Sequence, residues 1–181
     1  MDHVTVLFTD FKDFTALSEK ISPNELVSDL HNCFSVFDKI CEKHNIEKIK
    51  TIGDAYMAAG GLPSPNTTHA HDVVNAAIEM ANFIKQSKDA KLAAGLPYYE
   101  MRIGIHTGPV VAGIVGIRKF QYDIWGDTVN TASRMESSSE PGRINISETT
   151  YQIVKDDFKC TYRGKIQVKG KGIINMYFVE S

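Results

Sequence analysis

Cysteine is scarce: Cys33, Cys41 and Cys160 are the only three in 181 residues. So few, so widely spread, exclude a disulfide framework or a zinc cluster. Cys33 and Cys41 fall in an apolar helical stripe, where a thiol acts as a small hydrophobe. Reduced cysteines are therefore expected, with a cytosolic compartment. No apolar run reaches the ~18 residues of a membrane span, and Met1-Asp2-His3 has neither region of a signal peptide. An excess of one charge is missing too. With 20 Lys and Arg against 22 Asp and Glu, the net charge is −2, which offers no basic field to nucleic acid or to an anionic membrane. Neither G-x-x-x-x-G-K-[ST] nor G-x-G-x-x-G after a strand occurs. The 6 histidines form no metal set; His69 and His71 at a helix start and His106 on a strand read as structural or solvated.

What remains is an ordinary globular composition, 43% hydrophobic and 23% charged, long enough for one domain over residues 1–181 with a real core. Strand-like sequence runs from Val4 and again up to Val179 with closely trimmed ends, so a piece of a longer, modular protein is expected. Val4 to Phe8 reads as a buried strand ending at Asp10. Ser22-Pro23-Asn24-Glu25 combines a cap, a proline for the first helical position and a capping-box glutamate. Apolar residues then recur at three and four from Leu26 to Cys41, a long amphipathic helix ending near His44-Asn45. Ile46 to Ile52 and Ala55 to Ala59 form a hairpin about the Gly-X turn Gly53-Asp54. Val73 to Ile84 marks a second helix that fades into a polar stretch from Gln86 to Lys91.

Arg102 to His106 and Val110 to Val115 predict a second hairpin about Thr107-Gly108-Pro109. Gln121 to Ile124 is a short strand, followed by a helix from Asp127, available as its cap, to Met135. Strands at Ile144 to Ile146, Phe158 to Tyr162 and Ile174 to Val179, with a short helix from Ser147, complete the chain. This order predicts an α+β fold, a ferredoxin-like split βαβ sheet with helices packed on one face.

Asp10 at a strand end and Asp54 at a hairpin tip can meet at one rim of such a sheet. Two hard oxygen ligands without Cys or His suit Mg²⁺ or Mn²⁺. Aspartate is also common at strand ends and in turns, and on spacing alone that ordinary reading is the stronger one. Asn130 and Arg134, four apart, share a helix face. Arg118, Arg134 and Lys169 in Val168-Lys169-Gly170-Lys171-Gly172 could meet a phosphate chain. Lys50 shares a strand face with Ile46, Lys48 and Ile52 by the period of two, as a snorkelling edge-strand lysine would.

Four stretches together carry a resemblance over about Val4 to Val179. They are Leu7-Phe8-Thr9-Asp10-Phe11-Lys12-Asp13-Phe14-Thr15, the run from Lys48 to Met57, the run from Tyr122 to Met135, and Val168 to Gly172. In this order they resemble the class III nucleotidyl cyclase catalytic domain. The resemblance implies that Asp10, Asp54 and the main-chain carbonyl of Phe11 bind two divalent cations, Mg²⁺ or Mn²⁺. It implies that Asn130 orients the ribose, that Arg134 stabilises charge on the α-phosphate, and that Arg118 and Lys169 contact the triphosphate. Lys50 and Asp123 match the adenine-reading pair of adenylyl cyclases, where guanylyl cyclases usually carry Glu and Cys. Asp13 departs from the pattern, standing where the family has a small residue, and is a candidate helix cap that could alter metal preference.

The implied protein is an adenylate cyclase forming cyclic AMP and pyrophosphate from ATP. Its implied assembly is a homodimer with two symmetric sites, because the family builds each site from two subunits. The domain would itself touch neither nucleic acid nor membrane, and would lie in the cytoplasm, alone or as part of a membrane-anchored or sensor-linked protein. The alternatives are a guanylate cyclase or a non-catalytic cyclase-like domain kept for dimerisation or nucleotide sensing. A polymerase-type palm shares the sheet and carboxylates, but the Asn130–Arg134 helix and the Lys-Gly-Lys-Gly loop speak against it.

Overall fold

A computed structural model describes all residues from Met1 to Ser181. The first strand, β1 (Val4–Phe11), is followed by a short helix α1 (Phe14–Ser18) and the long helix α2 (Pro23–Lys43). The start of α2 forms as its sequence dictates: Ser22 Oγ accepts from the Glu25 N–H at 3.2 Å, and Pro23 takes the first helical position. A hairpin of β2 (Glu47–Ile52) and β3 (Ala55–Gly60) comes next. Its turn places Gly53 at φ +60°, which glycine adopts at little cost and which a tight Gly-X turn requires. Helix α3 (His69–Ala93) continues past the polar stretch expected to end it, because Lys, Gln and Ala are good helix formers even without a core face. Strand β4 (Met101–Gly108) then crosses the middle of the sheet.

The sheet order is β2-β3-β1-β4-β7-β9-β8, where β7 is Ile144–Ser147, β8 is Cys160–Val168 and β9 is Gly172–Val179. Its first four strands pair antiparallel. Each helical crossover therefore skips one strand, as the expected split βαβ arrangement requires. Helix α5 (Glu148–Val154) is capped by Ser147, whose Oγ accepts from the Thr150 N–H. The Lys-Gly-Lys-Gly loop is the β8–β9 turn, with Val168 opposite Gly172.

The second hairpin does not form. Strand β4 has β1 on one edge and β7, parallel to it, on the other. Both edges being taken, the chain peels away after Pro109. Strand β5 (Val111–Val115) then pairs with β6 (Gln121–Trp125) in a separate two-stranded ribbon. The strand expected at Phe158 to Tyr162 starts at Cys160 and runs to Val168, since its partner β9 supplies a full ladder.

Two apolar layers cover the sheet. Leu7, Phe37, Tyr56, Val73, Met80, Ile103 and Ile105 join one face to α2 and α3, with Val154 of α5. On the other face lie Val6, Phe8, Ile49, Met57, Ile124 and Ala132. That second layer seats α4 (Asp127–Ser137) and the β5–β6 ribbon. The α+β class stands, with one addition: α2, α3 and α5 share a face, whereas α4 packs on the opposite one. Cys33 and Cys41 are buried and unpaired. Burial pushes their thiols up to about 12 and about 11, so they are packing groups rather than nucleophiles.

Helix α4 can approach because Gly104 has no side chain. A Cβ there would sit 1.9 Å from the Glu136 backbone nitrogen. Gly104→Ala is expected to lower stability by about 3 kcal/mol, as overpacking against backbone does. An unchanged urea midpoint would show that α4 does not rest on this strand.

Candidate functional site

The register of β1 builds one half of the site. Thr9 pairs with Tyr56 on β3, and Asp10 lies opposite Arg102 on β4. The end of β1 therefore reaches the β2–β3 turn, and Asp10 comes within hydrogen-bonding reach of Asp54. Burial, then the nearby Asp54, pushes the Asp10 carboxyl from 3.8 up to about 7. Its Oδ1 is buried with no hydrogen-bond partner. The adjoining cleft is lined by Phe11, Asp13, Glu19 and Asp54 among others. No group of three or more His, Cys, Asp or Glu side chains is placed to hold a metal ion by itself. A cation here would rest on two carboxylates plus a donor of another kind, and an unpartnered oxygen beside a second carboxylate fits a hard divalent ion.

Asp13 sits at φ +54° at the start of α1, and its side chain caps nothing. The left-handed conformation explains why a small residue suits that position. Asp127 is not the cap of α4 either. Gly126 precedes the helix, and Asp127 in the first turn meets Lys171 of the β8–β9 turn at 2.9 Å.

The second half lies along α4. Asn130, Arg134 and Lys169 line one open cleft with Asp127, Gln167 and Val168. Arg134 Nη2 donates to the Gln167 carbonyl at 3.3 Å. No residue lines both this cleft and the one beside Asp54. Arg118 lies apart from both, in the turn between β5 and β6. His69 and His106 are internal groups, as expected. His106 Nδ1 is 2.6 Å from Ser147 Oγ, and burial lowers its pKa to about 4.

Lys50 and Asp123 meet across elements. Lys50 Nζ donates to Asp123 Oδ2 at 2.8 Å, while the Ile124 N–H donates to Oδ1 at 2.8 Å. The single-face expectation for Lys48 and Lys50 fails for a local reason. A bulge shifts the register, with Lys48 opposite Ala58 but Lys50 opposite Met57. Lys48 turns toward Asp38 of α2 at 3.0 Å, and Lys50 turns to the other face, toward β6.

The family described as the adenylate and guanylate cyclase catalytic domain matches residues 1–181. The chain belongs to this family. An adenylate cyclase of Mycobacterium tuberculosis is 43% identical over 98% of the chain and 39% of its own length. A human guanylate cyclase soluble subunit beta-2 is 43% identical over 97% of the chain and 28% of its own length. The cyclase domain thus spans about two fifths or less of these curated relatives. Among solved structures, the adenylyl cyclase CyaB from P. aeruginosa superposes with TM-score 0.92 at 35% identity, covering 99% of this chain and 94% of that one. The guanylate cyclase domain of RhGC from Catenaria anguillulae, in complex with GTP, gives 0.91 at 38%, covering 99% and 97%. A rhodopsin-guanylyl cyclase core of converted specificity, in complex with ATPalphaS, also gives 0.91, at 39%, covering 99% and 96%. The same backbone therefore accompanies either nucleotide. As a class III nucleotidyl cyclase domain, this chain has a fold that leaves the base to side chains.

Sequence reasoning missed Arg102 and Glu136, whose Nε and Oε2 approach to 3.1 Å without the alignment of a hydrogen bond. Their only signal was a charge at an otherwise apolar position: Arg102 within β4, and Glu136 beside Met135 on α4.

Because the Asp10 pKa is raised on folding, its contribution to stability is full below about pH 4 and lost as pH rises through about 7. In cation-free buffer, Asp10→Asn is expected to gain stability relative to the parent across that window and to gain no more above it. Urea midpoints at intervals of pH measure this; a constant difference between the two proteins would contradict it.

Proposed function

We propose that this cyclase domain converts ATP to 3′,5′-cyclic AMP and pyrophosphate. The observation that carries the substrate is the Lys50–Asp123 pair, 2.8 Å apart. Lysine can donate to adenine N1, and aspartate can accept from the 6-amino group. Guanine reverses both demands, with a donor at N1–H and an acceptor at O6. The Ile124 N–H on Oδ1 holds the Asp123 carboxylate in one orientation, and Oδ2, which accepts from Lys50, would turn its other lone pair to the base. A site so built leaves polar groups unpaired against guanine, the condition under which discrimination is strong.

Asp10, Asp54 and the Phe11 carbonyl are the proposed ligands of two divalent cations, Mg²⁺ or Mn²⁺, which when bound would lower the pKa of the ribose 3′-hydroxyl and neutralise phosphate charge. Asn130 would orient the ribose. Arg134 would leave the Gln167 carbonyl to meet charge developing on the α-phosphate. Lys169 and Arg118 would hold the departing pyrophosphate.

Since Asp54 and the α4 residues line separate clefts, one chain would give half of each site, and a head-to-tail homodimer would complete both. The β5–β6 ribbon supports this. It exposes Val111, Ile114, Ile117 and Phe120, a concentration of apolar surface that a second copy would cover. Within a longer, modular protein the domain would face the cytosol, where ATP is supplied; no helix of the domain is long and apolar enough to cross a membrane.

Purified protein given ATP or GTP with Mg²⁺ or Mn²⁺ is expected to make cyclic AMP in excess of cyclic GMP; a cyclic GMP excess would favour the guanylate reading. Lys50→Glu with Asp123→Cys is expected to shift that ratio toward cyclic GMP by about 100-fold or more. Asp54→Ala and Arg134→Ala chains, each nearly inactive alone, are expected to recover activity on mixing through one intact site per heterodimer. No recovery would rule out the shared site.

A further inference from the structure

Asp10 and Arg102 are directly opposed on neighbouring antiparallel strands, so their Cβ atoms project side by side on one face. An arginine in that place would ordinarily pair with the carboxylate facing it. It does not. Arg102 approaches Glu136 instead, Nε to Oε2 at 3.1 Å, while Asp10 Oδ1 is buried and unpartnered. Glu136 reaches this spot because α4 rests on Gly104, two residues along β4 from Arg102 and on the same face. Its side chain is only 9% exposed. A carboxylate buried beside two others is costly unless a cation offsets it, and Arg102 is the cation in contact with it.

We infer that Glu136 is a positioning residue: it draws Arg102 aside and so keeps the cation seat on Asp10 open. This rests on the reading of Asp10 and Asp54 as metal ligands. When they are ionised, the carboxylates of Asp10, Asp54 and Glu136 outnumber the one guanidinium of Arg102 by two, an excess that a divalent cation would offset. Without Glu136, the guanidinium is free to turn to Asp10 and occupy the seat itself.

The test is Mn²⁺ binding to the purified, nucleotide-free protein, followed by the loss of the free Mn²⁺ electron paramagnetic resonance signal. Glu136→Gln is expected to weaken binding ~10-fold or more. Removing the competing guanidinium as well, in Arg102→Gln/Glu136→Gln, is expected to restore most of it, a rescue that loss of packing would not give. A crystal structure of Glu136→Gln should show Arg102 on Asp10. Binding by the single variant equal to the parent's, or a double variant as weak as the single one, overturns the inference. If Asp10→Asn and Asp54→Asn leave the parent's Mn²⁺ binding untouched, the metal reading itself falls and takes this inference with it. If those two variants abolish binding and Glu136→Gln does not alter it, only the role of Glu136 falls.

Discussion

The site depends on β1 lying between β3 and β4. One edge of this strand carries its last residues to the β2–β3 turn and sets Asp10 beside Asp54. The other edge sets Asp10 opposite Arg102. Burial of the strand end, and then the neighbouring Asp54 carboxylate, disfavour the charged form, which is why Asp10 keeps its proton to about pH 7. Folding supplies the geometry and leaves a deficit of positive charge. A domain with net charge −2 overall therefore concentrates negative charge where a nucleotide's cations would be held.

The face of the sheet that carries Asp10, the one turned away from α2 and α3, supplies the rest. Helix α4 lies against β4 because Gly104 lets backbone meet backbone; this buries Glu136 against the sheet and leaves Asn130 and Arg134 lining an open cleft. The β8–β9 turn is tied to that helix by Lys171 on Asp127 and by Arg134 on the Gln167 carbonyl. Contacts to α4 thus fix both the residues proposed to act on the phosphates and the loop carrying Lys169. Asp54 and the α4 residues belong to one chain, yet they line different clefts. On this separation rests the proposal of a catalytic unit of two chains.

Much of this was legible in the sequence. The start of α2 followed from Ser22, Pro23 and Glu25; the hairpin tip at Asp54 followed from Gly53; the shared face of Asn130 and Arg134 followed from their spacing. The order of strands and helices was enough to predict the split βαβ sheet. Less legible were the ends of elements with little core face, such as the last turns of α3, and the destination of β5. A strand's partner is chosen by which edges are already filled, and β4 has none to spare.

Local signals succeeded because caps, tight turns and helical spacing are set by backbone dihedrals and by neighbours a few residues away. The sequence by itself determined which residues are candidates for the chemistry, their order along the chain, and the family. Only the tertiary structure decided where three charges point. A bulge opposite β3 sends Lys50 to Asp123 and away from Lys48. The packing of α4 on Gly104 gives Arg102 to Glu136 and leaves Asp10 without a partner. Both outcomes depend on a facing strand or helix far away in the chain, and a charge takes whichever partner that packing brings within reach.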